Sequence, residues 1–160
     1  MKKRLCAILI VVVVALALAV PSSTAAATND NFDSATVITA VPFNDLVDIS
    51  SLTSESGEPS NCGYFPSQTD WYAFTPTANG IAQADLQGSS GFPANLAIYQ
   101  AVGPGFGGLS AITCAPYYSG NANTLTFNVQ AGTTYYFQAG SAFCCYGGTL
   151  RLNLQASKLM

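Results

Sequence analysis

The residue types in this sequence limit the chemistry that it could perform. The chain contains no histidine, which excludes a histidine-based catalytic triad and an imidazole-ligated zinc site. Two pairs of acidic residues, Asp45 with Asp48 and Glu55 with Glu58, are the candidates for glycosidase carboxylates. Both pairs lie in or beside predicted loops, and no spacing indicates that they would flank a sugar. We therefore expect these carboxylates to be solvated and the protein not to be an enzyme.

Calcium binding is a second candidate chemistry. Hard oxygen donors of the kind that calcium prefers lie close together at Asn29, Asp30, Asn31 and Asp33. The segment lacks the glycine and the glutamate that an EF-hand loop requires at its sixth and twelfth positions. We favour an initial turn in which Asp30 or Asn31 hydrogen-bonds to the backbone, and we assign no metal and no cofactor.

Four of the five cysteines follow residue 27, and they are Cys62, Cys114, Cys144 and Cys145. An even number of cysteines in an exported chain indicates disulfides, and a four-thiolate zinc site is disfavoured because no C-x-x-C pair occurs. Three pairings are possible, of which a bond between the adjacent Cys144 and Cys145 is least favoured because it closes a strained small ring. We expect Cys62 and Cys114 each to pair with one of these two.

Loop aromatics beside the cysteines are the candidate binding residues, and they are Tyr64, Tyr117, Tyr118 and Tyr146. If the disulfides join their loops, these rings converge on one end of the molecule. A rigid aromatic patch can stack on sugar rings or contact a protein. The alternative is that the rings simply cover the disulfides, since exposed apolar groups are common on protein surfaces.

Residues 1–27 have the pattern of a secretory signal peptide. Three basic residues at positions 2–4 precede an apolar run over 5–20, and Ala25 and Ala27 supply the small residues of an A-x-A cleavage site. The run is shorter than the roughly 20 apolar residues of a spanning helix, and Pro21 ends it. We predict cleavage after Ala27, which releases a secreted single domain, 28–160, with no membrane association.

Charge excludes one class of partner. Beyond residue 27 the basic residues are Arg151 and Lys158, against eight acidic residues. Nucleic acid is therefore not an expected partner, because its binding requires clustered lysine and arginine. The stretch from Leu86 to Leu150 contains no charged residue at all, so its surface depends on uncharged polar groups.

The elements that must position these residues are short strands. The clearest is 150–155, where three leucines alternate with polar residues, and no segment after the leader has a 3.6-residue period. Nine strands are predicted, at 35–39, 46–49, 71–75, 81–86, 96–99, 110–114, 125–129, 133–139 and 150–155. Turn clusters between them indicate an all-β fold, an antiparallel, jelly-roll-like β-sandwich. The turns at 75–80 and 130–133 predict two hairpins.

Several of these segments together resemble the bacterial pre-peptidase C-terminal domain. They are N-D-N-F-D-S-A at 29–35, D-W-Y-A-F-T-P at 70–76, L-A-I-Y at 96–99, L-T-F at 125–127, A-G-T-T-Y-Y at 131–136 and G-T-L at 148–150. The resemblance covers 29–156 and implies a jelly-roll-like, non-catalytic sandwich that is usually attached to secreted proteases. In that family it is associated with secretion, attachment to substrate or polysaccharide, and sometimes calcium.

The sequence departs from this family in two respects. After Cys114 it reads A-P-Y-Y-S-G-N, where relatives often carry an acidic turn, so calcium is not expected there. We expect no peptidase to accompany the domain, and therefore do not expect the role of an enzyme's appendage to carry over. We expect a secreted binding or adhesion module that contacts extracellular polysaccharide or protein and has an exported enzyme as a further possible partner. The alternative is a structural or assembly protein of the envelope or matrix with no small ligand.

Overall fold

Nine strands form two sheets in the computed structural model, which describes residues 28–116 and 124–158. The strands are β1 (Thr36–Ile38), β2 (Phe43–Asp48), β3 (Gln68–Phe74), β4 (Gly80–Asp85), β5 (Ala94–Ala101), β6 (Leu109–Ala115), β7 (Leu125–Val129), β8 (Tyr135–Ser141) and β9 (Thr149–Lys158). Three short 3-10 helices span Phe32–Ser34, Ile49–Ser51 and Phe106–Gly108. The predicted all-β sandwich is confirmed, and each predicted strand overlaps an observed one. The predicted leader lies outside the described residues.

The two sheets have different strand orders. The five-stranded sheet runs β1-β3-β8-β5-β6, and the four-stranded sheet runs β2-β9-β4-β7. Among the described strands, every pair of neighbours is antiparallel except β1 and β3, which run parallel with Thr36 opposite Tyr72. Among the described residues, no helix is long and apolar enough to span a membrane.

The two predicted hairpins are wrong. Strands β3 and β4 belong to different sheets, and so do β7 and β8, so the turns between them pass from one sheet to the other. The consecutive strands that do pair as a hairpin are β5 and β6. Alternation of apolar and polar residues shows that one face of a strand is buried. In a sandwich the inner faces of both sheets pack on the same core, so strands of either sheet have the same pattern. The pattern therefore does not specify which strand is the partner.

The main core lies between the sheets. Leu150, Leu152 and Leu154 of β9 are fully buried there, as the alternation predicts, and they share one cluster with Tyr72 and Phe137 of the other sheet. Burial of each such leucine is worth about 1.5–3 kcal/mol relative to exposure. This core fixes the strands whose ends carry the loops considered below.

A second cluster covers the outer face of the five-stranded sheet. Trp71 is completely buried there beside Ala97 and Tyr99. Phe32 of the first 3-10 helix meets Trp71 edge to face, with ring centroids 5.1 Å apart, and Phe106 lies 5.7 Å from the same ring. The initial segment and the β5–β6 loop therefore close this face, which was not anticipated from the sequence.

Strand direction brings the cysteine-bearing loops to one end of the sandwich. Gln68 begins β3 opposite Ser141, the last residue of β8, and Ala94 at the start of β5 pairs with the same serine. Leu96 of β5 pairs with Ala115 at the end of β6. We call this the cysteine end, defined by loops 49–67, 86–93 and 142–148 and the end of β6.

Candidate functional site

The cysteine end contains one disulfide, between Cys62 and Cys114, with Cα atoms 5.7 Å apart. Cys144 and Cys145 are exposed thiols, so the expected pairing of Cys62 and Cys114 with these two is wrong. The reason lies in the path of the β2–β3 loop, where Asn61 donates from Nδ2 to the carbonyl of Gln138. Ala97 of β5 is the register partner of both Gln138 and Cys114, so the loop crosses the outer face toward β6.

Exposed aromatic side chains line the cysteine end. Tyr146 is 40% exposed and Phe143 is 42% exposed in the β8–β9 turn, and Phe65 is 79% exposed in the β2–β3 loop. Tyr64, from the predicted set, is half-buried, and its backbone exchanges hydrogen bonds with Asn61. The predicted Tyr117 and Tyr118 lie outside the described residues. We call Phe65, Phe143 and Tyr146 the aromatic rim.

Sequence reasoning placed Tyr146 in the binding set but not Phe65 or Phe143. Both lie within three residues of a cysteine, as the predicted Tyr64, Tyr117 and Tyr146 do. Their exposure is the property that separates them from the buried strand aromatics, and sequence position alone did not give it. The binding role of every one of these rings remains a prediction.

Gln68 fixes two of these loops with one buried side chain. Its Oε1 accepts from the backbone N–H of Tyr146 at 3.2 Å, and its Nε2 donates to the carbonyls of Tyr146 at 3.0 Å and Ile49 at 2.7 Å. The side chain is 4% exposed, so these bonds are shielded from competing water. Tyr146 is therefore presented from an anchored backbone.

Glycines allow the β4–β5 loop to join the same end. A Cβ atom on Gly148 would lie 2.2 Å from the carbonyl oxygen of Ser90, and one on Gly91 would lie 2.8 Å from that of Gly147. Gly91 also has a φ of 90°, in the region that favours glycine. Two loops thus make backbone contact that any side chain would prevent.

Glu58 corrects the expectation that the acidic pairs are solvated. It is only 9% exposed, and its Oε1 accepts from Thr69 Oγ1 at 2.9 Å and from Trp71 Nε1 at 3.4 Å. Its Oε2 accepts from Gln138 Nε2 at 3.1 Å. These donors on the outer face of β3 and β8 replace water around the carboxylate, which is what burial of a charge requires.

The remaining acids of the two pairs have local structural contacts. Glu55 is half-buried and accepts from the backbone N–H of Phe32 at 2.6 Å. Asp48 is exposed, as expected, and accepts from the N–H and Oγ of Ser50, which lowers the pKa of Asp48. Asp45 is half-buried, and its Oδ1 accepts from the backbone N–H of Leu46 at 2.8 Å in an exposed hydrogen bond.

Asp70, Tyr72 and Asp45 form a polar group between the sheets. The Tyr72 hydroxyl donates to Asp70 Oδ2 at 2.6 Å and lies 3.3 Å from Asp45 Oδ2. Burial raises the pKa of Asp70 to about 7, and its Oδ1 has no hydrogen-bond partner. A carboxyl with a raised pKa suits a general acid, but Asp70 has no exposed surface with which to touch a substrate.

The oxygen-rich initial segment bonds to the protein itself. Both carboxylate oxygens of Asp30 accept from Thr53, from its backbone N–H and from its hydroxyl. Asn29 donates from Nδ2 to the carbonyl of Trp71 at 3.0 Å, while the side chain of Asn31 does not cap the first 3-10 helix. Within 28–116 and 124–158, no three acidic or cysteine residues are grouped as metal ligands.

Solved structures that are similar to this chain include two of known identity. One is the pre-peptidase C-terminal domain of collagenase from Bacillus anthracis, 14% identical, covering 76% of this chain and 94% of that chain with a TM-score of 0.45. The other is PliG from Aeromonas hydrophila, a periplasmic lysozyme inhibitor of g-type lysozyme, 17% identical, covering 76% and 96% with a TM-score of 0.44. No protein-family model and no curated protein matches the chain.

Proposed function

We propose that this protein is a secreted, non-catalytic binding module whose cysteine end attaches to extracellular polysaccharide. Secretion rests on the leader pattern of residues 1–27. The observation that carries the binding proposal is the aromatic rim, in which three exposed rings project from loops of one end. Aromatic faces on preformed surfaces are suited to stacking on sugar rings.

The fixed backbone beneath the rim supports this proposal. The Cys62–Cys114 disulfide attaches the β2–β3 loop to an edge strand, and Gln68 attaches the β8–β9 turn to the start of β3. A surface that is already ordered loses little conformational entropy when it binds. The rings therefore need no rearrangement of the backbone to meet a ligand.

Charge at this end favours a neutral ligand. Loops 86–93 and 142–148 contain no charged residue. In loop 49–67, Glu55 and Glu58 are engaged by protein donors, as described above. The loops that carry the rim are thus mostly aromatic and uncharged, with Asp48, Asp85 and Arg151 beside them at the strand ends. Such loops suit a neutral polysaccharide better than an ionic partner.

The arrangement of acids supports a non-catalytic role. Asp70 and Glu58 are buried and hydrogen-bonded within the protein, so neither can meet a substrate. Asp45 contacts the Tyr72 hydroxyl from the inner side of β2.

Retention on insoluble matrices tests this function. The chain, purified after export from a bacterial host, is applied to insoluble neutral polysaccharides and to collagen, beside a Phe65→Ala/Tyr146→Ala variant. Both rings are exposed, so the variant should keep its fold, and loss of two stacking contacts should weaken polysaccharide binding about tenfold or more. Val102→Ala is the matched control, because Val102 is 68% exposed in the β5–β6 loop at the opposite end.

Three outcomes are informative. Retention on a polysaccharide that the double variant loses and Val102→Ala keeps would support the proposal. Retention on collagen alone would replace the polysaccharide with a protein partner. Binding to no matrix, or binding unaffected by the double variant, would contradict the role of the aromatic rim.

Assembly into the envelope or matrix is the second candidate function, and an edge strand favours it. Strand β2 forms one edge of the four-stranded sheet, and Leu46 on it is 63% exposed. Exposed edges can pair with a second chain. We expect Leu46→Lys to abolish any concentration-dependent oligomer seen by sedimentation, and a chain that remains monomeric at all concentrations would argue against self-assembly.

A further inference from the structure

The β8–β9 turn carries two adjacent cysteines that the fold leaves as thiols. Cys144 and Cys145 are both exposed, whereas Cys62 and Cys114 are joined to each other. Neither thiol therefore has a cysteine partner elsewhere in 28–116 and 124–158. The binding function proposed above makes no use of them.

The turn holds this pair of thiols between two anchored points. On one side, the backbone N–H of Phe143 donates to Ser141 Oγ at 3.3 Å, and that hydroxyl donates to the carbonyl of Phe143 at 2.9 Å. On the other side, Gln68 binds both backbone groups of Tyr146. Only the two cysteines lie between these points, so both side chains are presented together at the surface.

The two thiols also interact with each other. Interaction with the neighbouring Cys144 thiol, through hydrogen bonding first and charge second, raises the pKa of Cys145. Once the Cys144 thiol has lost its proton, loss of the proton from the Cys145 thiol is therefore disfavoured. Two adjacent thiols in one exposed turn provide the attacking and the resolving group that intramolecular thiol exchange requires.

We propose that Cys144 and Cys145 form a thiol–disulfide exchange site that low-molecular-weight disulfides oxidise and low-molecular-weight thiols reduce. One cysteine thiolate attacks the small disulfide, forms a mixed disulfide and releases one small thiolate, which takes up a proton. The second cysteine loses its proton and attacks the mixed disulfide, which releases the second small thiol. The protein dithiol loses two electrons, and the small disulfide gains them.

The resulting bond is expected to be labile. Adjacent Cα atoms are about 3.8 Å apart across a trans peptide, below the range of about 4.4–6.8 Å that disulfides usually span. Strained and exposed disulfides are reduced more readily than relaxed ones. The Cys62–Cys114 bond spans 5.7 Å and joins two separate elements, so it should persist where the adjacent pair reopens.

Mass spectrometry with thiol alkylation tests the site. The exported chain is equilibrated in defined mixtures of reduced and oxidised glutathione, alkylated at its free thiols and cleaved into peptides. The mass of each peptide then shows whether its cysteine is a thiol, a disulfide or a glutathione adduct. We expect Cys144 and Cys145 to close on each other with an equilibrium constant for oxidation at least tenfold smaller than that of Cys62 and Cys114. The variants Cys144→Ser and Cys145→Ser should each stop at a mixed disulfide with one glutathione, because the resolving thiol is missing.

Several results would overturn the proposal. One is a stable glutathione adduct on the parent chain, which would mean that the second thiol does not resolve the first. Others are dimers linked through residues 144 and 145, exchange of partners with Cys62 or Cys114, and thiols that stay reduced in oxidised glutathione. The masses are independent of ligand retention, so failure of the binding proposal leaves this test unaffected.

Discussion

Glu58 is a residue whose neighbours predict a high local cost of substitution. Its two oxygens accept from Thr69, Trp71 and Gln138, which are all buried. Glu58→Ala leaves these donors unsatisfied, at about 1–3 kcal/mol for each buried group, so we expect a loss of roughly 3 kcal/mol in the free energy of unfolding. Urea denaturation followed by tryptophan fluorescence measures it, since Trp71 is the single tryptophan.

A second variant separates hydrogen bonding from packing at this position. Glu58→Gln keeps the volume but turns an NH₂ group toward one of the donors in either amide orientation, so it should also destabilise the fold, by about 1–3 kcal/mol. Asp33→Ala, at an exposed acid, is the matched control and should change stability by less than about 0.5 kcal/mol. Wild-type stability in both Glu58 variants would show that the carboxylate is not held as described.

Asp70 predicts a pH dependence of stability. Burial raises its pKa from 3.8 to about 7 in the folded state, so the folded protein binds a proton that the unfolded chain has lost. The associated stability is complete below pH 3.8 and is lost as the pH rises through about 7. The free energy of unfolding of the parent, relative to Asp70→Asn, should fall by on the order of 2–4 kcal/mol between pH 4 and pH 8.

The comparison with Asp70→Asn is made pH by pH in urea, because the other acids titrate in both proteins and cancel. The amide has no carboxyl proton to lose, so its own curve lacks this descent. A difference between the two proteins that stays constant from pH 4 to pH 8 would show that Asp70 does not titrate in this range. Loss of the Tyr72 contact would lower stability equally at every pH.

Residue types alone could not have separated these acids. Asp48 and Glu58 both lie near predicted turns, yet one is exposed and the other is buried under the β2–β3 loop. The difference arises from donors on β3 and β8 that are 11 to 80 residues away in sequence. Local pattern does not contain such long-range contacts, so the default of solvated charge failed at Glu58.

Close packing of neighbouring strands makes a prediction at the scale of the element. Gly140 of β8 lies between β3 and β5, and a Cβ atom there would approach the carbonyl oxygen of Gln68 to 2.0 Å. Backbone cannot yield cheaply, so Gly140→Ala should lower stability by about 3 kcal/mol or prevent folding. Gly107→Ala is the matched control, because its Cβ would meet nothing within 4 Å.

We compare these two glycine variants by their solubility after expression and by the midpoint of thermal unfolding, followed by circular dichroism. Equal midpoints for Gly140→Ala and the parent would mean that β3 and β8 can separate locally without cost. Strand β9 shows what alternation predicts well, since Leu150, Leu152 and Leu154 are buried as expected. The strands that pair with β9 were not predicted, because pairing depends on how the connections between the two sheets place one strand beside another.

At the scale of the whole molecule, strand direction alone brings the cysteines together. The loops that follow β2 and β8 and the end of β6 emerge at one end of the sandwich. From the sequence, that convergence was expected only as a consequence of disulfides between these loops and residues 144 and 145, and those disulfides do not form. The pairing itself was wrong, because the path of the β2–β3 loop across the outer face is set by Asn61, Glu58 and Gln138. Those polar contacts carry no sequence motif.

The Cys62–Cys114 bond should therefore dominate the stability of the whole chain. It joins positions separated by 52 residues, and a loop of that size predicts a stabilisation of about 4 kcal/mol from restriction of the unfolded chain. Cys62→Ala/Cys114→Ala should lose about that much in urea denaturation without reductant. The matched control is Cys144→Ser/Cys145→Ser, which also removes two sulfur atoms, but from free, exposed thiols. It should change stability by less than about 0.5 kcal/mol. An equal loss in both variants would mean that the four cysteines are paired across the two loops.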